Sequence, residues 1–258
     1  MTTPLSVRVV EAELRTYRRT WRGSVFTGFL NPILYLLAMG VGLGTLVDEN
    51  LSVGADGISY LAFIAPGLLV ATAMQTGAGE GAWKVMAAVK WRQTWHATLA
   101  TPVGVGSLAL GQIYWSTLRV AMVSASFAVV MVLSGVASPP EALGAMVPAI
   151  LVGAGMAAVT TAFTVRLQTD APLAMYFRFV VIPMFLFSGV LFPITQLPAW
   201  LQPVAQATPV FHGVELARMI ALGITPSVSP WISWFYLAAV LVVGTVLVIA
   251  PLRRRLTP

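Results

Sequence analysis

The stretch GVGSLALGQIYWSTLRVAMVSASFAVVMVL, residues Gly104 to Leu133, carries one charged side chain, Arg119. A helix needs about 20 mainly apolar residues to cross about 30 Å of hydrocarbon, so this stretch is long enough to span a membrane. The whole chain has the same character, because 58% of its 258 residues are hydrophobic and 9% are charged. Soluble domains hold about 25% charged residues. The sequence therefore predicts an all-α integral membrane protein.

Five further apolar segments lie on either side of this stretch. The six predicted spans are Val25 to Val47, Ile58 to Ala78, Gly104 to Leu133, Leu143 to Val165, Phe177 to Pro193 and Trp231 to Ala250. Just after the second span, GAGEGAWKV (residues 77–85) lacks the Gly-Lys spacing of a phosphate loop. We interpret its glycines as a flexible end of that span.

Basic residues set the predicted orientation. They precede the first span, lie between the second and third and between the fourth and fifth, and end the chain; the alternate loops hold Asp48, Glu49, Asp56 and Glu141. Basic loops stay cytoplasmic, so both termini are predicted to be cytoplasmic in a bacterial plasma membrane. The net charge of +6 is explained by this pattern, and nucleic acid is not expected as a partner.

Residues 1–24 have the periodicity of a separate amphipathic helix. Apolar side chains recur at steps of three and four on one face, and arginines occupy another; the apolar set is Val7, Val10, Leu14, Tyr17 and Trp21. Such a helix lies in the membrane interface with its arginines at anionic lipid headgroups. A solvated helix is the alternative. The remaining residues, 25–258, form the predicted six-span domain.

The segment between the second and third spans, residues 80–102, is longer than a simple hairpin needs. Trp91, Trp95 and Leu99 follow the i, i+4, i+8 spacing of one helical stripe. Polar side chains face elsewhere; they are Arg92, Gln93 and His96. A connector anchored at the headgroups by its tryptophans is one interpretation. A docking site for a cytoplasmic partner is the other.

Five motifs stand in a fixed order along the chain; they are NPILYLLAMGVGLG (31–44), YLAFIAPGLL (60–69), RQTWHATLATPV (92–103), FLFSGVLFPITQLP (185–198) and TPVFHGVELAR (208–218). In this order they resemble the permease subunits of type-2 ATP-binding-cassette (ABC) exporters, within the family of lipo-oligosaccharide (nodulation-factor) and daunorubicin-type drug export permeases. Together they cover nearly the whole chain.

The resemblance implies a dimer of two permease copies or homologues that exports an amphipathic cargo, either a lipid-linked saccharide or a hydrophobic drug. A separate ATPase subunit would bind ATP and Mg, and this chain would hold no cofactor. Residues 90–101 would form the coupling helix, with ATPase contacts from Lys90, Trp91, Arg92, Gln93, Trp95 and His96. Many relatives carry an acidic residue where this chain has His96.

On the outer side, the proline-rich segment 194–223 is too apolar for a solvated loop and too interrupted for one helix. Non-helical backbone at membrane depth must be buried or line water, which predicts a re-entrant helical hairpin. His212, Glu215 and Arg218 share a face of it, as a structural polar cluster or a substrate contact. His96 lies across the membrane from His212 and cysteine is absent, so no catalytic or metal site is predicted.

Arg119 is the most costly residue of the third span. Charges within a span face protein or water, and Gln112 and Ser116 lie on the same helix face. These three residues are candidates for the transport pathway, with helix packing as the alternative. An ion-coupled carrier and a membrane-embedded transferase or hydrolase are rival functions. They would normally show intramembrane carboxylates or an acid-base constellation, which the sequence does not suggest.

Overall fold

The computed structural model describes residues 4–38 and 59–256, and over these ranges its regular secondary structure is helical, as predicted. Short π-helical turns at Ala87–Trp91 and Phe177–Val181 extend α2 and join α6 to α7. The α-helices of the described ranges are α1 Leu5–Leu36, α2 Tyr60–Met86, α3 Thr94–Leu99, α4 Val105–Leu133, α5 Pro139–Thr164, α6 Ala171–Tyr176, α7 Ile182–Phe187, α8 Gln202–Gln206, α9 Pro209–Leu222 and α10 Pro230–Leu256.

Four helical segments in the described ranges are long and apolar enough to cross a membrane. They coincide with the second, third, fourth and sixth predicted spans and are Tyr60–Trp91, Val105–Leu133, Pro139–Thr164 and Pro230–Ile249. The fifth predicted span, Phe177 to Pro193, only overlaps a shorter apolar helical segment, Ala171–Phe187, and its last six residues lie beyond that segment. Residues 39–47 of the first predicted span, together with Asp48, Glu49 and Asp56, lie outside the described residues. The six-span count stays a prediction.

The second span does not end flexibly near Ala78, so that expectation is wrong. Helix α2 continues to Met86, and its glycines pack against α5. A methyl group on Gly77 would overlap the carbonyl oxygen of Gly153, and one on Gly81 would lie 2.6 Å from the carbonyl oxygen of Ala157. Small residues allow membrane helices to approach closely. These two glycines therefore mark a helix contact.

Helix α5 lies at the centre of the bundle, with α2, α4, α9 and α10 packed around it. Pairs of contacts show that α2 and α10 run parallel to α5: Gly77 and Gly81 meet Gly153 and Ala157, and Val240 and Gly244 meet Gly155 and Val159. Helix α9 runs antiparallel to α5, since Gly213 meets Val152 and Ile220 meets Gly144. The largest core lies between these helices and includes Leu68, Met74, Phe127, Val152 and Leu216.

Helix α1 runs without a break from the predicted interfacial segment into the first predicted span. It lies parallel to α4, since Val9 packs on Gly111 and Gly28 faces Ser126. The predicted separate helix of residues 1–24 is thus continuous with the helix that follows it, in one helix from Leu5 to Leu36. The interfacial position of residues 1–24 stays a prediction.

The proline-rich outer segment folds into short helices, which agrees with the predicted interruption. Pro203 and Pro209 stand in the first turns of α8 and α9, where a missing N–H removes no helical hydrogen bond. Helix α9 ends at Gly223, whose φ of 69° favours glycine. It packs against α2 and α5. Re-entry into the membrane by residues 194–223 stays a prediction.

Candidate functional site

The predicted stripe of Trp91, Trp95 and Leu99 is wrong, because the helix does not run through all three residues. Gln93 adopts a left-handed backbone conformation with a φ of 51°, and α3 begins only after it. Trp91 therefore belongs to the π-helical turn that extends α2 and is 60% exposed. Trp95 on α3 is only 6% exposed.

Trp95 fixes α3 to the end of the helical bundle. Its indole packs into an apolar cluster formed by the ends of several helices, and Leu99 packs against the same cluster; the buried partners include Val85, Val105, Val165, Val248 and Leu252. Burying a tryptophan removes a large apolar area from water. The short helix is thus held firmly although it has only six residues.

The opposite side of this segment is exposed and polar. Arg92, Gln93 and His96 face away from the apolar cluster, as the sequence predicts for residues that reach a partner. We call these three side chains the α3 surface. Lys90 is half-buried and donates a hydrogen bond from Nζ to Oε1 of Gln168, 2.8 Å away. This bond ties the α3 region to the link after α5, a connection that sequence spacing could not reveal.

Arg119 faces protein, where Glu80 of α2 meets it. The Nε atom of Arg119 lies 3.3 Å from Oε1 of Glu80. Gln112 donates from Nε2 to the backbone oxygen of Glu80 and to Oγ of Ser116. The three pathway candidates therefore share one face, and that face meets one residue of α2. Gln112 and Ser116 are buried there, which favours packing for these two.

The contacts around Glu80 extend to α1. Lys84 lies 3.5 Å from Oε2 of Glu80 and 2.9 Å from Oε2 of Glu13. Aromatic rings flank both cations, with Arg119 over Tyr17 and Lys84 over the buried ring of Trp115. We call Glu13, Glu80, Lys84 and Arg119 the charge network. One contact of this network, between Glu80 and Lys84, could have been predicted from their i, i+4 spacing in the sequence.

In the described part of the chain, no hydrogen bond or ion pair joins the three outer candidates to one another, although Glu215 and Arg218 line the same cavity. His212 is buried, and its Nδ1 lies 3.0 Å from Oγ of Ser233 on α10. Arg218 is buried and donates to the backbone oxygens of Phe63 and Val190, each 3.0 Å away. His212 and Arg218 contact different elements because six residues separate them on α9, which places their side chains on different faces of the helix. Their contacts hold α9 in the bundle.

Glu215, the third outer candidate, joins a loop. Its Oε2 accepts hydrogen bonds from the backbone N–H and the hydroxyl of Ser227, at 2.6 and 2.5 Å. This contact ties α9 to the connection before α10. Among the described residues, no three His, Asp or Glu side chains gather as a metal site.

A family model for the ABC-2 type transporter matches residues 7–222. The chain belongs to the ABC-2 type transporter family. The matched segment runs from the first turn of α1 to the end of α9 and includes the α3 surface, the charge network and the three outer candidates. With the apolar helices described above, this membership makes the chain a multi-pass membrane permease of an ABC exporter.

Three relatives match this chain over most of its length and over most of their own. Nodulation protein J of Rhizobium meliloti (strain 1021) is 29% identical over 242 residues, covering 94% of this chain and 90% of the relative. Nodulation protein J of Rhizobium leguminosarum bv. viciae is 27% identical over 240 residues, with 93% and 90% covered. The protein of that name in Rhizobium leguminosarum bv. trifolii is 30% identical over 207 residues, with 79% and 77% covered.

Proposed function

We propose that this permease exports an amphipathic molecule, a lipid-linked saccharide or a hydrophobic drug, across the bacterial plasma membrane by alternating access. Two permease copies, or one copy and a homologue, enclose the pathway. A separate ATPase subunit binds ATP and Mg at the cytoplasmic side, where both termini lie. The family membership supports this proposal, as do the relatives named nodulation protein J, which match this chain over most of its length.

The observation that carries the proposal is that the α3 segment has one buried apolar side and one exposed polar side. One side is fixed to the bundle by the buried Trp95, and the other presents Arg92, Gln93 and His96. Arginine is enriched at the energetic centres of protein interfaces. A short helix with this arrangement is suited to receive a partner subunit while it stays attached to the bundle.

The connection from α3 to α2 provides a route for force. Helix α2 and its π-helical extension form one segment from Tyr60 to Trp91, so displacement of α3 acts directly on a membrane-spanning helix. Glu80 on that helix contacts α4, and Lys84 contacts α1. Movement of the α3 surface by the ATPase would therefore reach three helices at once.

The test is charge reversal on the α3 surface. Arg92→Glu combined with His96→Glu should weaken binding of the ATPase subunit roughly 30-fold, which corresponds to about 2 kcal/mol for an interface anchor. Binding is measured by pull-down of the ATPase from reconstituted membranes, together with ATP-dependent export. Neither side chain supports the bundle, so insertion and dimerisation should be retained.

Arg19→Glu is the matched control, because Arg19 is an exposed arginine on α1 away from the α3 surface. It should leave ATPase binding unchanged. Normal ATPase binding and export in the double variant would contradict the role of the α3 surface. Export that needs an ion gradient but no ATP would contradict the proposed function itself.

A further inference from the structure

We infer that a polar cleft between α1, α2 and α4 binds the uncharged, hydroxyl-bearing headgroup of the amphipathic cargo, an inference that rests on the proposed function. The cleft has a volume of about 160 Å³ and is lined by Ser24, Gly28, Asn31, Thr72, Thr76 and Arg119. Polar side chains from all three helices converge on it. Polar groups within a span are costly unless they meet a partner or water.

The backbone of α1 adds an acceptor to the cleft. Pro32 lines the cleft and has no N–H, so the regular helical hydrogen bond to the carbonyl oxygen of Gly28 cannot form. Gly28 lines the same cleft and has no side chain to cover that oxygen. A ligand hydroxyl placed here can donate to it.

The side chains of the cleft offer both donors and acceptors. The Asn31 amide supplies both, and Arg119 supplies donors only. The hydroxyl of Thr76 donates to the backbone oxygen of Thr72, 2.8 Å away, which leaves its lone pairs to accept. A hydroxyl group both donates and accepts. A sugar-like group with several hydroxyls therefore matches this mixed set.

The charges around the cleft balance. Glu80 pairs with Arg119, and Lys84 pairs with Glu80 and Glu13, so two carboxylates face two cations. An anionic headgroup would have to compete with Glu80 for Arg119. A cationic headgroup would meet Arg119 as a like charge. The balanced network therefore favours an uncharged group over either ion.

The geometry of α1 gives the cleft an elongated form. Ser24 and Asn31 lie two helical turns apart on one face, or about 10 Å at 1.5 Å per residue. Thr72 and Thr76 lie one turn apart on the α2 wall, and Asn31 is exposed at the α1 wall. A headgroup can thus be held along the cleft while its apolar chain remains in the surrounding hydrocarbon.

The test uses three photoreactive probes that share one octyl chain, with a diazirine at the second chain carbon of each, close enough to the headgroup to react with residues of the cleft. They are octyl glucoside, octyl phosphate and octylamine, applied to the permease and its ATPase in nanodiscs. Labelled residues are located by mass spectrometry. The glucoside should label residues 24–31 and 72–76 preferentially, and Asn31→Leu or Thr76→Val should reduce this labelling about tenfold through loss of a hydrogen bond.

Thr117→Val is the matched control, because Thr117 is a threonine of α4 that does not line the cleft and bonds to the backbone of Ile113. It should leave the labelling unchanged. Equal labelling by all three probes, preferential labelling by the phosphate or the amine, or labelling that both cleft variants leave intact would overturn the inference.

Retention of the ATPase is measured in every sample to separate the two proposals. If wild-type permease retains the ATPase but shows no preference for the glucoside, the inference fails and the proposed function stands. If wild-type permease retains no ATPase, the proposed function fails. Variants that retain the ATPase and elute as the intact complex are folded, so their reduced labelling reports on the cleft.

Discussion

The Nε atom of Arg119 lies 3.3 Å from Oε1 of Glu80, and each side chain is only 16% exposed. This ion pair joins α4 to α2 seven residues before the π-helical extension of α2 begins at Ala87. Glu80 also accepts a contact from Lys84, which reaches Glu13 on α1. The pair therefore lies where three helices meet, next to the polar cleft.

Removing one partner of this pair should destabilise the protein. Arg119→Leu leaves the Glu80 carboxylate with one cation fewer, and an unsatisfied charged group costs about 1–3 kcal/mol or more. Combining it with Glu80→Gln should recover part of the loss, because replacing both members of a buried pair is less costly than breaking it. Thermal unfolding of the purified permease measures both effects.

Arg19→Leu removes an exposed arginine of α1 and should change stability by no more than about 0.5 kcal/mol. If Arg119→Leu retains wild-type stability and loses only transport, the packing role is wrong and the side chain acts in the pathway. An additive loss in the double variant would show that Glu80 and Arg119 are not coupled.

The two tryptophans before and within α3 should differ in their effect on stability. Trp95→Ala removes a buried indole from the apolar cluster and should cost about 3–5 kcal/mol. Trp91→Ala changes an exposed side chain and should cost about 0.5 kcal/mol or less. Thermal unfolding in detergent distinguishes the two variants, and equal losses would contradict the division between anchor and exposed residue.

Four of the six predicted spans, the second, third, fourth and sixth, were readable from the sequence because hydropathy over 20 or more residues reports directly on transfer into hydrocarbon. The break in the helix at Gln93 could not be predicted. Glutamine carries no local preference for a left-handed backbone, and the i, i+4 spacing of Trp91 and Trp95 favoured one helix. Trp95 differs from Trp91 by its tertiary contact with the end of the bundle, which local sequence spacing does not encode.

The sequence identified several side chains of the candidate site, but not the residues on other helices that contact them. Arg119 stood out as a charge within a span, but its partner Glu80 is 39 positions away. Pairings between helices depend on their relative placement, which local periodicity does not encode. The same limit explains Gly77 and Gly81, because a glycine at a close helix contact and one at a flexible end look alike in sequence.

Substitutions at neighbouring glycines of α2 should separate these two roles. Gly77→Ala places a methyl group against the Gly153 carbonyl and should destabilise the α2–α5 contact by about 1–3 kcal/mol. Gly79→Ala meets no atom within 4 Å among the described residues and should be neutral or slightly stabilising, since alanine favours helix by about 1 kcal/mol. Unfolding temperatures and yields of the two variants provide the comparison, and a stable Gly77→Ala protein would contradict the close contact.

The orientation can be tested on α5, whose two ends are separated by 26 residues or about 39 Å. Glu141 is exposed near its start and Gln168 is exposed just beyond its end, so the two positions must lie on opposite sides if α5 spans the membrane. The chain has no cysteine, so each single-cysteine variant reports one position. Because basic loops stay cytoplasmic, Glu141→Cys should react with an impermeant maleimide on intact cells, and Gln168→Cys only after permeabilisation. The reverse pattern would invert the topology and place the α3 surface outside, whereas labelling of both positions from one side would show that α5 does not cross.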